Sequence, residues 1–342
     1  MDIEKLAAMA QRIVAPGKGI LAADESGGTI KRRFDSIGVD STEENRRDYR
    51  ELLFRAQGVA AHLSGVILYD ETIKQQAADG TPMVKVLSDQ GLVPGIKVDM
   101  GTKPLAGSSS ELYTEGLDGL RERLAEYVEL GAGFTKWRGV ITIGDGIPTD
   151  YCIGVNAHAL ARFAALSQEA GLVPLVEPEV LMDGSHDIEK CFEVTEATLR
   201  EVFSQLHKQG VILEGALLKP NMVLSGSLAS NRATPGEVAE ATVACFKRTV
   251  PAALPGILFL SGGQSDDEAT VNLNAINKLA TSNGAPWQLT FSYGRGLQAA
   301  PLKAWGGKTE NAVQAQAAFQ HRARVTSAAR SGAYTAEMET TT

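Results

Sequence analysis

The stretch FTKWRGVIT at residues 134–142 has the composition of a β-strand and carries two cations, Lys136 and Arg138. Seven further runs of this kind occur along the chain: 18–24 (KGILAAD), 63–70 (LSGVILYD), 93–99 (VPGIKVD), 172–177 (LVPLVE), 211–219 (VILEGALLK), 256–262 (GILFLSG) and 288–293 (QLTFSY). Most intervals between them exceed the ~30 residues that a parallel strand–helix–strand unit needs. The pattern predicts an α/β protein and favours one (β/α)8 barrel over a doubly wound sheet, which seldom repeats so evenly.

The segments between these runs read mostly as amphipathic helices. Residues 42–62 (TEENRRDYRELLFRAQGVAAH) and 117–130 (LDGLRERLAEYVEL) are the clearest examples. Ser265 followed by Glu268 predicts a full capping box before a helix over residues 269–279. Alternation of strand and helix through eight units, with no linker of low complexity, is the pattern of a single barrel.

The chain is large enough for one sizeable core, since 44% of its 342 residues are hydrophobic and 22% are charged. We predict a catalytic barrel domain over residues 1–330. The remaining residues, 331–342 (SGAYTAEMETTT), are small and polar, which predicts a flexible C-terminal tail.

The charge balance restricts the partners. Lys and Arg number 33 against 41 Asp and Glu, a formal net charge of −8. This argues against nucleic acid or an anionic membrane surface as a partner, so a phosphate group would have to bind in a local pocket. The three cysteines form no CxxC pair, and no stretch of 18 apolar residues occurs. The sequence therefore predicts a soluble cytoplasmic protein.

Ionisable residues cluster late in the predicted strands, where apolar residues are expected. In a barrel these positions lie at the catalytic mouth, and side chains two apart on a strand face the same way. Three pairs have that spacing: Lys97 with Asp99, Lys136 with Arg138, and Glu177 with Glu179. Any single pair is most simply a salt bridge at the rim. Ionisable residues at the ends of six strands, however, indicate a functional site.

Lys219 has the most apolar sequence neighbours of any lysine in the chain, since it follows GALL and precedes Pro220. Burial and cationic neighbours favour the neutral amine, which is the nucleophilic form. A neutral amine near carboxylates indicates Schiff-base formation with a carbonyl substrate. The alternative is a structural lysine that pairs with a carboxylate, Glu177 or Glu179.

The last two strand ends suggest an anion pocket. Ser261, Gly262 and Gly263 end the seventh run just before a helix N-terminus, where backbone N–H groups can approach a phosphate. Ser292, Gly294 and Arg295 follow the eighth run in the same way and add a guanidinium group. The alternative is that the glycines serve only tight turns. The five histidines show no HxH, HxxxH or HExxH spacing, so no metal site is predicted.

Ten segments that include these residues closely resemble class I fructose-1,6-bisphosphate aldolases, the metal-free Schiff-base type. They are LAADES (21–26), TEENRR (42–47), GIKVD (95–99), KWR (136–138), VEPE (176–179), LLKPNMV (217–223), FLSGGQS (259–265), NLNAIN (272–277), FSYGR (291–295) and LKAWGG (302–307). The resemblance runs from about residue 5 to 330. It implies reversible aldol cleavage of fructose 1,6-bisphosphate to dihydroxyacetone phosphate and glyceraldehyde 3-phosphate, without a cofactor.

The resemblance also implies roles for single residues. Lys219 matches the lysine that forms the imine with C2 of the substrate, and Lys136 matches the lysine beside the imine nitrogen. Glu177 matches the acid/base of carbinolamine formation and dehydration. Asp24 matches the carboxylate that engages the C4 hydroxyl, and Glu179 is similar to a carboxylate that orders this network.

Two phosphate positions follow from the same resemblance. The C1 phosphate would lie at Ser261, Gly262, Gly294 and Arg295, and the far phosphate at Ser26, Lys97 and Arg138. The family is commonly homotetrameric, which implies a homo-oligomer. Animal members end in a tyrosine, whereas this chain ends in three threonines. Alternative functions are a preference for fructose 1-phosphate or sedoheptulose 1,7-bisphosphate, and a non-catalytic scaffold.

Overall fold

A computed structural model describes residues 1–108 and 110–340 of the chain. Each of the eight predicted runs contributes a strand to one closed parallel barrel. The strands within the described residues are β1 (Gly19–Ala23), β2 (Leu63–Leu68), β3 (Val93–Lys97), β4 (Thr102–Pro104), β5 (Leu112–Thr114), β6 (Phe134–Ile141), β7 (Val173–Val180), β8 (Leu217–Leu218), β9 (Gly256–Phe259) and β10 (Gln288–Tyr293). The barrel order is β1-β10-β9-β8-β7-β6-β3-β2. The predicted (β/α)8 barrel is therefore confirmed.

Helices surround the barrel. They are α1 (Ile3–Ile13), α2 (Gly27–Asp35), α3 (Glu43–Phe54), α4 (Asp70–Lys74), α5 (Met83–Ser88), α6 (Leu120–Glu129), α7 (Asp150–Glu169), α8 (Ile188–Lys208), α9 (Pro235–Thr249), α10 (Asp266–Ser282), α11 (Arg295–Trp305) and α12 (Ala312–Arg330). Parallel neighbours need such crossovers, because a tight turn can join only antiparallel strands. The short antiparallel hairpin of β4 and β5 lies outside the barrel sheet.

The inside of the barrel is apolar at the end where the strands begin. Early strand residues, among them Ile20, Phe134 and Leu217, form one buried cluster with Leu6 and Ile13 of α1. Burying a side chain of this size contributes ~1.5–3 kcal/mol to the free energy of unfolding, so this apolar cluster closes that end of the barrel stably. The ionisable strand residues are thereby confined to the opposite end, where the strands finish.

The sixth barrel strand is much shorter than predicted. Of residues 211–219 only Leu217–Leu218 is strand, and Leu213–Gly215 is a 3-10 helix. The side chain of Gln168 explains the difference, because it accepts from the Ile212 N–H and donates to the carbonyls of Ile212 and Gly215. The amide thus takes the place of a neighbouring strand for this segment.

Two helix predictions need correction. The helix expected over residues 42–62 is α3 and ends at Phe54, and a left-handed Gly58 follows it. Ser265 does cap α10 by accepting from the Glu268 N–H at 3.1 Å. The Glu268 carboxylate pairs with Arg232 on the surface, so the reciprocal half of the capping box is absent from the contacts described.

The C-terminal segment contains a 3-10 helix over Ala336–Glu339. Glu339 pairs with Arg322 of α12 at 2.6 Å, and the Tyr334 N–H donates to Asn274 of α10. Thr341 and Thr342, the end of the predicted tail, lie outside the described residues. The flexibility of residues 331–342 stays a prediction.

Candidate active site

One cavity of about 1010 Å³ occupies the end of the barrel where the strands finish. All thirteen site residues predicted from the sequence line it: Asp24, Ser26, Lys97, Lys136, Arg138, Glu177, Glu179, Lys219, Ser261, Gly262, Ser292, Gly294 and Arg295. The lining as a whole, these residues included, has nine Lys or Arg side chains against seven Asp or Glu. A chain of net charge −8 therefore has a cavity whose described lining carries a cationic excess, which suits an anionic ligand.

Lys219 and Glu177 form the centre of the cavity floor. Each is only 4% exposed, and the Lys219 Nζ lies 3.2 Å from the Glu177 Oε1. Lys219 directly follows β8, and Glu177 is on the neighbouring strand β7. The Lys219 N–H also donates to the Val176 carbonyl at 2.7 Å, which holds the two side chains on adjacent backbone segments.

Lys136 connects this pair to Asp24. Its Nζ lies 3.3 Å from the Glu177 Oε2, 2.6 Å from the Asp24 Oδ2 and 3.9 Å from the Asp99 Oδ2. Glu177 therefore separates two amines, with one carboxylate oxygen toward each. The Glu177 Oε2 is buried and accepts no hydrogen bond among the described residues, so it has a lone pair free for a proton.

The charges of this cluster shift the pKa values of its members. Burial of Asp24 favours its neutral form, but the nearby charges of Lys136 and Lys219 outweigh that effect and lower the pKa of Asp24 to about 2. Burial of Lys136 favours the neutral amine, but Asp24, Glu177 and Asp99 outweigh it and raise the pKa of Lys136. At neutral pH Asp24 is therefore an anion and Lys136 a cation.

We expect the contribution of Asp24 to stability to depend on pH. Its pKa in the folded protein, about 2, lies below the ordinary 3.8, so the stabilisation is present above pH 3.8 and lost as the pH falls toward 2. The shift corresponds to about 2 kcal/mol. Asp24→Asn should lower the free energy of unfolding at pH 6 and progressively less below pH 4, as measured by urea unfolding at each pH.

The control for this experiment is Asp35→Asn, which removes an exposed carboxylate of α2 paired with Lys31. It should change stability by well under 1 kcal/mol, because exposed pairs contribute little. An Asp24→Asn deficit that is the same at pH 3 and pH 6 would contradict the assigned shift.

A second charged group borders the first. The Lys97 Nζ lies 2.7 Å from the Asp99 Oδ1, and Arg138 is paired with Glu179 through its Nε. The Asp99 Oδ2 accepts from the Arg138 N–H at 3.2 Å. Burial opposes the charge of Arg138, but Glu179 outweighs it and raises the pKa of Arg138. The residues spaced by two along β6 and β7 thus face one cavity, as predicted.

The two glycine-rich strand ends approach each other across β9 and β10. The Arg295 guanidinium donates to the Gln264 carbonyl at 2.6 Å, which joins the loop after β9 to the first residue of α11. A Cβ on Gly262 would lie 2.7 Å from the Glu179 Oε1, so a larger residue there would require the Glu179 carboxylate to shift. The Ser292 hydroxyl is buried without a hydrogen-bond partner among the described residues. The pocket thus offers a guanidinium and a buried hydroxyl.

Sequence reasoning missed Arg33 as a cavity residue. Arg33 is on α2, its guanidinium lies 2.5 Å from the Glu25 carboxylate, and its Nη2 is 3.4 Å from the position of a Cβ on Gly294. It therefore brings a further cation to the second glycine loop. The signal was the basic triplet KRR at residues 31–33, which follows the first strand end within the same helix-forming segment.

The sequence model of the family described as "Fructose-bisphosphate aldolase class-I" matches residues 5–342. The chain belongs to this family. This membership confirms the resemblance and the enzyme class: the protein is an aldehyde-lyase that cleaves fructose 1,6-bisphosphate in an aldol reaction. The alternative substrate preferences and the scaffold role find no support in it.

Curated aldolases of bacteria and plants resemble the chain over nearly its whole length. A "Probable fructose-bisphosphate aldolase class 1" of Xanthomonas campestris pv. campestris is 57% identical over 325 residues, which cover 95% of this chain and 96% of the relative. "Fructose-bisphosphate aldolase 4, cytosolic" of Arabidopsis thaliana is 55% identical over 330 residues, 96% of this chain and 84% of the relative.

A solved aldolase structure resembles the fold equally well. Fructose-bisphosphate aldolase from Plasmodium falciparum, solved in complex with TRAP and a small-molecule inhibitor, superposes with a TM-score of 0.95 at 50% identity. The match covers 97% of this chain and 96% of the other.

In the described part of the present chain, no three His, Cys, Asp or Glu side chains are grouped so as to hold a metal ion. No helix within residues 1–108 and 110–340 is long and apolar enough to cross a membrane.

Proposed function

We propose that Lys219 is the nucleophile of this aldolase and attacks C2 of the open-chain ketose. The observation that carries the proposal is the 3.2 Å contact between the Lys219 Nζ and the Glu177 Oε1 inside a buried, cationic cavity. A proton must leave the Lys219 amine before it attacks, and Glu177 is within reach to take it. The attacking nitrogen then passes one of its two remaining protons to the carbonyl oxygen, which becomes the hydroxyl of a carbinolamine.

Glu177 then returns a proton to that hydroxyl, which leaves as water and yields the protonated imine. Lys136 lies on the other oxygen of Glu177 and places a second cation beside the reacting pair. Arg138 occupies the Glu179 carboxylate, so Glu177 is the acid/base and Glu179 orders the network. The support for this division is the different partner of each carboxylate.

Asp24 takes the proton of the C4 hydroxyl as the C3–C4 bond breaks. The electron pair of that bond moves to C3 and is delocalised into the protonated imine, which becomes an enamine. Glyceraldehyde 3-phosphate leaves with the new carbonyl at C4. Transfer of the proton held by Asp24 to C3, followed by hydrolysis of the imine, then releases dihydroxyacetone phosphate and regenerates Lys219 and the Asp24 carboxylate. The low pKa of Asp24 supports its role, because it is ionised at the start of the cycle.

We propose the two ends of the cavity as phosphate positions. Ser261, Gly262, Gly294 and Arg295, together with the unpartnered hydroxyl of Ser292, suit the C1 phosphate. Ser26, Lys97 and Arg138 suit the far phosphate. Lys97 of β3 and Arg138 of β6 lie across the barrel from β9 and β10, whereas Ser26 follows β1, next to β10. Lys97 and Arg138 are each paired with a carboxylate, which positions both cations before the ligand enters.

Borohydride trapping tests the nucleophile. We expect sodium borohydride in the presence of dihydroxyacetone phosphate to reduce the imine and attach the ligand covalently to Lys219, detected by peptide mass spectrometry. EDTA should leave both trapping and cleavage unchanged. Label on another lysine would remove Lys219 from this role. Loss of activity with the chelator, restored by a divalent metal, would require a metal-dependent mechanism.

Arg295→Ala tests the C1 phosphate position. One charge-assisted hydrogen bond is worth roughly 1.5 to 3 kcal/mol. The KM for fructose 1,6-bisphosphate should therefore rise by about tenfold to a hundredfold. Steady-state kinetics provide the measurement, and Arg200→Ala, which removes an exposed arginine of α8, is the control. An unchanged KM would place the phosphate elsewhere.

We further propose that the protein works in the cytoplasm as a homotetramer, with residues 1–330 as its catalytic domain and 331–342 as a flexible tail. The support for the compartment is that an Arabidopsis thaliana relative is named cytosolic. The support for the tetramer is the resemblance to the family alone.

A further inference from the structure

The hydrogen-bond ladder between β7 and β8 is interrupted next to Lys219, the proposed nucleophile. The pairing of the two strands ends where the Lys219 N–H donates to the Val176 carbonyl at 2.7 Å. The next residue, Pro220, faces the other neighbour, because its carbonyl accepts from the Leu260 N–H at 3.2 Å. Alternate residues of a strand face the same neighbour, so Pro178 faces β8 after Val176, and it has no N–H to continue the ladder. Pro178 thus interrupts the hydrogen bonding between β7 and β8.

The side chain of Asn221 closes this gap. Its Oδ1 accepts from the N–H of Val180, the next residue of β7 that faces β8, at 3.0 Å. Its Nδ2 donates to the Thr195 hydroxyl of α8 at 3.1 Å and to the Met222 carbonyl at 3.0 Å. Asn221 is only 4% exposed, and these partners leave one orientation for its amide. The Asn221 side chain therefore supplies the hydrogen bond between β7 and the segment after β8 that the backbone does not make.

The Asn221–Val180 hydrogen bond lies next to the proposed catalytic residues. Glu177 and Glu179 are in the last four residues of β7, between the final backbone rung and the Asn221 contact. Lys219 is two residues before Asn221 on the other side of the gap. Without the contact, the strand pairing described for the end of β7 is that with β6, which extends to Val180. The two sides of the Lys219–Glu177 contact could then separate.

We propose that Asn221 is a positioning residue that keeps the amine of Lys219 within proton-transfer distance of Glu177. It touches neither side chain and acts through the Val180 N–H. The inference rests on the proposed roles of Lys219 and Glu177. A displacement of about 1 Å between reacting groups can cost up to a hundredfold in rate, so the effect belongs in kcat and in the rate of imine formation rather than in substrate binding.

Asn221→Ser tests the proposal, because a serine hydroxyl is too short to reach the Val180 N–H. We expect kcat for fructose 1,6-bisphosphate to fall by about tenfold to a hundredfold, with KM within threefold of the parent value. The rate of borohydride trapping with dihydroxyacetone phosphate should fall in parallel. Asn221→Asp retains the acceptor oxygen for Val180 and should retain kcat within about fivefold, since the rung is kept.

Thr195→Val is the matched control. It removes the acceptor of the Asn221 amide on α8 but leaves the Val180 contact in place, so it lowers the thermal midpoint without lowering kcat by more than twofold. A kcat loss in Thr195→Val equal to that in Asn221→Ser would mean that activity follows stability, and would overturn the proposal. A folded Asn221→Ser protein with parental kcat would overturn it too.

Two further outcomes remain informative. If Asn221→Ser does not fold, Asn221→Asp decides, because a folded Asn221→Asp protein with a severe loss of kcat contradicts a role for the acceptor oxygen. If the parent protein is not trapped at Lys219, the proposed function itself fails. Trapping in the parent with equal rates in every variant refutes the role of Asn221 alone.

Discussion

Lys219→Met should lower kcat for cleavage of fructose 1,6-bisphosphate by about 10⁴-fold or more, since removing the nucleophile removes the covalent route. Methionine has nearly the length of lysine and suits a side chain that is 4% exposed. The fold should therefore survive. The measurement is single-turnover cleavage, combined with borohydride trapping, which should give no label at position 219.

The matched control is Lys85→Met, which changes an exposed lysine of α5 paired with Asp89. It carries the same chemical change without contact to the cavity, so kcat should stay within twofold. Substrate binding to Lys219→Met should persist, because the phosphate contacts are intact, and calorimetry at pH 7 measures it. Retention of more than about one hundredth of the parental kcat would refute the nucleophile, since no other covalent route is proposed.

The central lysine was predictable because its cause is local. The apolar residues around Lys219 are its sequence neighbours, so its burial follows from the strand end itself. Its partner was left open between Glu177 and Glu179, which both face the mouth. The structure separates them through a contact from another strand, because Arg138 of β6 occupies Glu179. Such a choice depends on register between strands, which the sequence alone does not show.

The supporting contacts were beyond prediction for the same reason. Asn221 bonds to Val180, 41 residues earlier in the chain, and its position in the sequence shows only a polar residue after a proline. Arg50 reads as an exposed residue of an amphipathic helix. It is 1% exposed and donates to the Glu25 carbonyl and to the Thr72 hydroxyl, beside the end of β1 that carries Asp24. Hydrophobic periodicity gives no signal for a buried arginine of this kind.

Lys136→Met should have the largest combined effect on stability and catalysis. One ammonium lies within 4 Å of three carboxylates, those of half-buried Asp24 and of buried Glu177 and Asp99. Removing one partner of a buried ionic group costs about 3–5 kcal/mol, because the remaining charges stay without compensation. We expect a loss of that size in the free energy of unfolding at pH 7, measured by urea unfolding.

Lys74→Met is the control that separates burial from charge. Lys74 also lines the cavity and also contacts two carboxylates, Asp70 and Glu126, each at 3.0 Å. Its side chain is 41% exposed against 5% for Lys136, so water screens the same change of charge. Its loss should cost less than about 1 kcal/mol. Equal costs for the two variants would show that the buried cluster is not a special electrostatic environment.

The catalytic effect of Lys136→Met follows from the same contacts. Without its cation, Asp24 loses the main cause of its low pKa and binds a proton more readily, and Glu177 keeps Lys219 as its remaining amine. We expect kcat to fall by about 10³-fold, within the range for loss of an acid/base group. Steady-state kinetics at pH 7 provide the measurement. A kcat within about tenfold of the parental value would contradict a role of Lys136 in the reaction.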